Sequence, residues 1–231
     1  MTTKTRKVRR RAPTNSKPKT ANSKLVLPSE PTEPPASLYE YCLFIMGAKG
    51  VGKTTLLGSF PNSMVLQLEP RRRSARIRQY SIRPMSTLEM TKEGVGFSDT
   101  PWEQISRFID AAVADESIQH IGIDTADRFY DAALTHFCYK GGKDNPSEFN
   151  DYGKTWDVIK WSVEQQLCKI LFADRTIGLT LLSHTRVREV AEADDPEEPE
   201  MAVPTCKPAM WTMCKGLTDY CFFYGFRGGK R

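Results

Sequence analysis

The chain has 231 residues, of which 39% are hydrophobic and 26% charged, and its net charge at pH 7 is +5. No apolar run approaches the roughly 20 residues that span a bilayer, and the N-terminus lacks the apolar core of a secretory signal. None of the six cysteines forms a C-x-x-C pair, and the three histidines are not spaced with them as zinc ligands. We therefore expect no membrane-spanning helix, no secretory signal and no zinc site, and we expect a globular protein with buried thiols in a reducing cytosol.

The first 37 residues are rich in Lys, Arg, Pro, Ser and Thr. Residues 1–24 contain nine of the 33 basic residues and no acid, so the rest of the chain carries 24 basic and 28 acidic residues. Such a segment cannot bury enough apolar surface to offset its ordering entropy. We predict a disordered basic tail over 1–37 and a folded core over 38–231. The tail either keeps the protein soluble or contacts nucleic-acid phosphates.

Residues 47–54 read GAKGVGKT and match the phosphate-binding pattern G-x-x-x-x-G-K-[ST]. An apolar run at 41–46 precedes them and a helix-compatible stretch at 53–59 follows, which is the strand–loop–helix context that the motif requires. Backbone N–H groups of the loop would bind phosphate, Lys53 would reach the β- and γ-phosphates, and the Thr54 hydroxyl would ligate Mg²⁺. The predicted nucleotide-binding residues are Gly47, Ala48, Lys49, Gly50, Val51, Gly52, Lys53, Thr54 and Thr55.

A second strand is predicted at 63–68 and ends at Glu69. A concentrated basic run follows it. The arginines of this run are candidate contacts for DNA phosphates, although they could equally form a solvated loop or pair with the acidic segment 192–200. These arginines are Arg71, Arg72, Arg73, Arg76 and Arg78.

Strands and helices alternate along the rest of the chain. Thr100, Pro101 and Glu103 form a typical helix start, and apolar spacing extends that helix to about residue 115. We then predict, in order, a strand at 118–123, a helix at 126–139, a loop at 141–150, a helix at 152–173, a strand at 176–182, an acidic loop at 191–200, a short helix at 208–217 and a last strand at 220–226. This alternation predicts an α/β fold with a mainly parallel sheet flanked by helices.

The predicted strands deliver polar residues to one edge of that sheet, where ligands of parallel sheets bind. Asp124 is placed to hold Mg²⁺ with Thr54, partly through water, or else to cap the next helix. Glu69 is the best candidate to orient the attacking water. Alternatively, Glu69 is an ordinary surface glutamate at the end of its strand. His184 either contacts the γ-phosphate or is a buried histidine satisfied by backbone. Together with Lys53, these residues form the predicted catalytic set.

The chain resembles the bacteriophage-type P-loop ATPases of the RecA-like class, which are associated with single-strand annealing and recombination. The resemblance covers about residues 39–226, and the D-Y-G-K-x-W motif at 151–156 and the Ser183-His184 pair make it more specific than the phosphate loop alone. It implies a RecA-like core that binds Mg-ATP, with Asp124 as the Walker B acid, Glu69 as the catalytic glutamate and His184 as the sensor. Relatives continue beyond the last strand, so the resemblance implies a truncated C-terminus, in which any trans-acting Lys or Arg is either absent or replaced by Arg227, Lys230 or Arg231.

The leading hypothesis is therefore an ATPase that acts on DNA in phage-type recombination or replication. It implies single-stranded DNA as partner, a homo-oligomer or recombination and replication proteins as further partners, no membrane, and the cytoplasm of a phage-infected or prophage-bearing bacterium. The main alternative is a nucleotide-dependent assembly module that hydrolyses ATP weakly. A small-molecule kinase is a third reading, for which we find no lid or acceptor-site signature in the sequence.

Overall fold

The computed structural model describes residues 34–69, 77–82, 89–91, 94–96, 99–188 and 201–225. Several sequence predictions fall outside these ranges: most of the basic tail, the acidic loop at 191–200, and the last residues from 226 onward. Of the five candidate DNA-binding arginines, Arg71, Arg72, Arg73 and Arg76 also lie outside the described residues, whereas Arg78 lies within them. The predicted division of the chain at residues 37 and 38 stays a prediction.

The described residues form nine strands and five α-helices. The strands are β1 (Cys42–Gly47), β2 (Ser63–Gln67), β3 (Gln79–Ser81), β4 (Glu89–Thr91), β5 (Gly94–Gly96), β6 (His120–Asp124), β7 (Gly178–Arg188), β8 (Met201–Pro204) and β9 (Tyr220–Phe223). The helices are α1 (Lys53–Ser59), α2 (Pro101–Ala114), α3 (Ala126–Lys140), α4 (Lys154–Leu171) and α5 (Pro208–Leu217). Two short 3-10 helices span Leu38–Glu40 and Pro146–Phe149.

Local capping chemistry sets where two of the long helices begin. At the start of α2, the Thr100 hydroxyl accepts a hydrogen bond from the Glu103 N–H, and the Glu103 carboxylate accepts one from the Thr100 N–H. This capping box satisfies two N–H groups that the helix cannot bond internally, as the sequence predicts. At the start of α4 the capping residue is Gly153, and the Asp151 carboxylate accepts from the N–H and the hydroxyl of Thr155, so it satisfies one of the first N–H groups of that helix.

The main sheet has the strand order β3-β2-β6-β7-β1-β9, and every pair along this path is parallel. β8 pairs with the far end of β7 in antiparallel orientation, and β4 and β5 form a separate antiparallel hairpin. The predicted α/β fold with a mainly parallel, helix-flanked sheet is confirmed. Because the paired strands are parallel, the carboxyl ends of β1, β2, β6 and β7 reach the same edge of the sheet.

Helices cover both faces of this sheet, and the alternation of side chains along β1 shows how. Leu43 and Ile45 point to the face covered by α1, where they pack with Leu57. Phe44 belongs to the larger cluster on the opposite face, which includes apolar side chains of α2, α3, α4 and α5. Burying an aliphatic or aromatic side chain of this kind contributes about 1.5–3 kcal/mol to the free energy of unfolding. Both clusters therefore stabilise the positions of the strand ends.

Some elements were not predicted. The strands β3, β4, β5 and β8 are each three or four residues long. Strands this short carry too little hydrophobic periodicity to be recognised in the sequence. β7 extends to Arg188 instead of ending at 182, because its second half gains a partner in β8. The predicted loop at 141–150 contains the 3-10 helix Pro146–Phe149, which begins with a proline. β9 ends at Phe223, and residues beyond 225 are not described.

Candidate nucleotide-binding site

The phosphate loop connects β1 to α1 through a tight backbone path that only glycine adopts without strain. Gly50 and Gly52 have φ angles of 82° and 102°, in the left-handed region. A Cβ placed on Gly47 would lie 2.1 Å from the backbone oxygen of Tyr224, so a side chain there would collide with the residue after β9. The three glycines of the motif therefore shape the loop and let β9 lie close beside it.

Lys53 is the first residue of α1, and its side chain is 5% exposed. Its ammonium donates hydrogen bonds to the backbone oxygens of Gly47, at 2.7 Å, and Ala48, at 2.9 Å. The same ammonium lies 3.4 Å from Nδ1 of His184. The lysine thus folds back over the loop and carries its charge to the place where the motif positions phosphate oxygens.

The N-terminus of α1 is also arranged to accept an anion. Gly52 occupies the capping position, and no side-chain hydrogen bond caps this helix. The first N–H groups of a helix have no partner within it, and an anionic oxygen satisfies them well. Ala48, Lys49 and Gly50 are exposed in the same loop, and Thr55 faces solvent on the helix. The loop thus offers backbone donors to a ligand that approaches from solvent.

Thr54 and Asp124 meet at the base of the loop. The Thr54 hydroxyl donates to Oδ2 of Asp124 across 2.6 Å, and Asp124 is fully buried at the end of β6. A hydroxyl beside a carboxylate is a hard-oxygen donor pair of the kind that Mg²⁺ prefers in nucleotide sites. Within the described ranges, no group of three or more His, Cys, Asp or Glu side chains is arranged to hold a metal ion. The Thr54–Asp124 pair has the donor chemistry to hold a magnesium ion, whose other ligands would be phosphate and water oxygens.

Glu69 and His184 come together between the ends of β2 and β7. Nε2 of His184 lies 3.0 Å from Oε1 of Glu69, and both side chains are mostly buried, at 20% and 17% exposure. The Gln67 side chain donates to the backbone oxygen of Glu69 at 3.2 Å, which helps to fix the chain after β2. The structure thus brings Lys53, His184 and Glu69 into one row along the sheet edge.

Asp127 lies behind this row and links three elements. The Ser183 hydroxyl donates to Oδ2 of Asp127 at 3.0 Å, and the Thr205 hydroxyl donates to its Oδ1. Asp127 is the second residue of α3, and Thr125, the capping residue of that helix, makes no side-chain capping hydrogen bond. Thr205 was missed by the sequence reasoning, because it follows β8 and no pattern in the sequence indicates that strand. Because the Thr205 hydroxyl also lies within hydrogen-bond distance of the His184 oxygen, it ties the part of β7 that carries His184 to the start of α3.

The cysteines are arranged as buried thiols. Cys42, Cys138, Cys206 and Cys214 are buried, whereas Cys221 is exposed. Burial, reinforced by the nearby Asp127 carboxylate, raises the pKa of Cys206 to about 12, and burial raises that of Cys42 to a similar value. A thiol is nucleophilic only as the thiolate, so these cysteines do not supply chemistry at neutral pH.

Arg78 is the only candidate DNA-binding arginine within the described residues, and its side chain is half-exposed. It lies 3.7 Å from the carboxylate of Asp115, and its guanidinium donates to the Ser117 hydroxyl at 3.5 Å. An exposed ion pair of this length contributes little to stability. Arg78 therefore has an acidic neighbour on the α2–β6 connection, at the sheet edge away from the phosphate loop.

Comparison with known families decides the broader class. A family model described as an AAA domain matches residues 39–210, which are 172 of the 231 residues. The chain belongs to this AAA-domain family. It is thus a nucleotide-binding P-loop ATPase domain by family. The narrower resemblance to phage-type recombination ATPases stays a prediction.

Two further comparisons are less informative. No curated protein matches the sequence. Among solved structures, an ATPase from the type III secretion system of pathogenic bacteria aligns with a TM-score of 0.41 and 15% identity, covering 80% of this chain and 51% of that one. This chain thus spans about half the length of that structure. No helix among the described residues is both long and apolar enough to cross a membrane.

Proposed function

We propose that this AAA-domain protein hydrolyses Mg-ATP at the edge formed by β1, β2, β6 and β7. The observation that carries the proposal is the convergence of Lys53, Glu69 and His184 beside the Thr54–Asp124 pair. Four different strands or loops contribute these groups, and only the parallel sheet brings them together. Phosphoryl transfer is catalysed mainly by positioning and electrostatic stabilisation, which is what such an arrangement of charged groups supplies.

Each side chain has a distinct role in this proposal. The loop N–H groups and the Lys53 ammonium bind the phosphates and offset charge on the departing ADP oxygen. Glu69 orients a water molecule and takes its proton as the water oxygen bonds to the γ-phosphorus and the bond to the bridging oxygen breaks. His184 holds Glu69 in position and lies within reach of the γ-phosphate. The products are ADP and inorganic phosphate.

Magnesium fits this site through Thr54 and Asp124. When bound, the ion would neutralise phosphate charge. The residues of the chain contribute independently of it, because Lys53 and the loop N–H groups bind phosphate directly. Asp124 also orients the Thr54 hydroxyl at the start of α1.

We further propose that the ATPase acts on single-stranded DNA in phage-type recombination or replication. The support is the nine basic residues in the first 24 positions, the arginine run at 71–78 and the resemblance in the D-Y-G-K-x-W motif. Basic segments bind phosphate backbones through counterion release. Partners would be single-stranded DNA and either further copies of the chain or recombination and replication proteins, in the cytoplasm of a phage-infected or prophage-bearing bacterium.

The test is ATP turnover of the full chain, measured as phosphate release with and without single-stranded DNA. The proposal expects ADP and phosphate as products and a higher rate with DNA. If single-stranded DNA left the turnover rate unchanged, the proposed action on DNA would be refuted and the proposed ATP hydrolysis would be retained. Tight nucleotide binding without turnover would favour the assembly module instead, and phosphate transfer to a small acceptor would favour the kinase.

A further inference from the structure

The candidate hydrolytic groups all lie on one side of β1. β7 is the neighbour of β1 on that side and carries His184, while β6 and β2 beyond it carry Asp124 and Glu69. On the other side, β1 has β9 as its neighbour, and Tyr224 directly follows that strand. The phosphate loop therefore lies between a row of charged residues on one side and, on the other side, the end of β9, which Tyr224 follows.

Tyr224 is attached to the phosphate loop by its backbone. Its N–H donates to the Met46 oxygen across 2.7 Å, and its own carbonyl fills the space where Gly47 lacks a Cβ. A Cβ placed on Gly52 would lie 4.0 Å from Cε1 of the tyrosine ring, so the ring stands beside the start of α1. The ring is 36% exposed, so part of it is accessible to a ligand at the loop.

The direction of a bound nucleotide follows from these positions, given the proposed function. The terminal phosphate must lie toward Lys53, His184 and Glu69 for hydrolysis to occur. The phosphate chain then runs along the loop, and the ribose and base leave the loop at its opposite side. That side is the one occupied by β9, where the tyrosine ring is the aromatic group next to Gly52.

We propose that Tyr224 is the stacking platform for the base of the bound nucleotide. This inference rests on the proposed function, because hydrolysis fixes which end of the nucleotide faces Glu69. An aromatic ring stacks on any base, since every base has a π-face, and such stacking changes affinity by roughly 5- to 150-fold. Tyr224 therefore strengthens binding without selecting adenine over guanine.

Inorganic tripolyphosphate separates this role from phosphate binding, because it has the phosphates of ATP but no base. Equilibrium binding of ATP, GTP and tripolyphosphate is measured for the wild type and for Tyr224→Ala, Tyr224→Trp and Tyr220→Ala. Tyr220 is the matched control, because it is an exposed tyrosine at the end of β9 away from the loop, whereas Tyr224 follows the end of β9 beside the loop.

The proposal expects Tyr224→Ala to lower the affinity for ATP and GTP about tenfold or more and to leave the affinity for tripolyphosphate unchanged. Tyr224→Trp keeps an aromatic ring and should retain ATP binding, and Tyr220→Ala should bind all three ligands as the wild type does. If Tyr224→Ala lowered the affinity for ATP and for tripolyphosphate equally, or lowered neither, the proposal would be overturned. Because the readout is binding, a wild type that binds ATP without hydrolysing it refutes the proposed function and still tests the stacking role.

Discussion

His184 and Glu69 are 115 residues apart in the chain, and yet Nε2 of the histidine lies 3.0 Å from Oε1 of the glutamate. β7 and β2 both flank β6, so the sheet brings their carboxyl ends to either side of Asp124. On its other nitrogen, His184 faces the Lys53 ammonium at 3.4 Å. An ammonium can only donate, so Nδ1 accepts and the Nε2–H donates to Glu69. His184 thus connects the phosphate-binding lysine to the residue proposed to orient water.

Glu69 and His184 should therefore act as a unit in catalysis. We expect Glu69→Gln to lower kcat by about 100-fold or more, and His184→Ala to lower it by a smaller factor because the carboxylate loses its support. The double variant should be no slower than Glu69→Gln alone. The measurement is a double-mutant cycle on kcat at saturating ATP. Multiplicative effects of the two substitutions would show that the histidine does not act through the glutamate.

Asp124→Asn should differ from Glu69→Gln in its effect on binding. Glu69→Gln should keep normal nucleotide affinity while turnover is lost, since the glutamine still fills the site but takes no proton. Asp124→Asn should weaken ATP binding in the presence of Mg²⁺ and change it little in EDTA, because the carboxylate is proposed to serve the metal. Titrations of ATP with and without Mg²⁺ check this. Glu116→Gln, on an exposed turn, is the control. Normal hydrolysis by Glu69→Gln would mean that another residue orients the water.

The sequence predicted the central part of this fold well because its signals are local. The phosphate loop is a contiguous motif, the capping box at Thr100 and Glu103 spans four residues, and the apolar strands before Glu69, Asp124 and His184 are visible as runs. The rule that parallel strands deliver ligand-binding residues to one edge then placed these side chains together before any contact was known.

What the sequence could not predict depends on long-range pairing. The His184–Glu69 contact requires the order β2-β6-β7, which no local pattern gives. β8 is recognisable only through its antiparallel pairing with β7, and so Thr205 and its hydrogen bond to Asp127 were missed. The sequence predicts a last strand at 220–226 that includes Tyr224. The position of this tyrosine beside Gly52 follows only from the pairing of β9 with β1.

His120 should make the fold less stable as pH falls. Its ring is fully buried at the start of β6, between the Tyr39 carbonyl at 2.6 Å and the Thr180 hydroxyl at 2.9 Å. Burial lowers its pKa to about 4 from the ordinary 6.5. Between these values the unfolded chain binds a proton that the folded protein does not, so stability is lost as pH falls through this window.

The expected loss between pH 7 and pH 5 is about 2 kcal/mol from this residue. Urea unfolding of the wild type and of His120→Asn at both pH values measures it, because the asparagine keeps hydrogen-bonding groups and does not titrate. The wild type should lose more unfolding free energy than the variant over this interval. Equal losses would show that the buried imidazole does not drive the acid sensitivity.

The DNA proposal predicts a salt-dependent affinity. A variant lacking residues 1–37 should remain folded, with a melting temperature within about 2 °C of the full chain. It should bind single-stranded DNA more tightly than duplex, and log affinity should fall with log salt by about 0.7 per phosphate contact. Neutralising Arg71, Arg72 and Arg73 together in this variant should weaken binding and flatten the slope.

The matched control neutralises three exposed basic residues of α3 and α4, namely Arg128, Lys154 and Lys160. Those changes remove the same charge from a different part of the sequence, so they should have a smaller effect on affinity and slope. If the shortened variant binds neither form of DNA at low salt, with or without ATP, the DNA proposal fails and the assembly module becomes the better hypothesis.

Phosphate release from ATP by the wild type, Lys53→Ala and Lys160→Ala tests the central claim most directly. Lys160 is an exposed lysine of α4 outside the proposed site, whereas the buried Lys53 folds over the phosphate loop toward His184. The wild type and Lys160→Ala should hydrolyse ATP at similar rates, and Lys53→Ala should be slower by about 100-fold or more. Turnover by Lys53→Ala at the wild-type rate, or its absence in all three proteins, would contradict the assignment of this site as an ATPase centre.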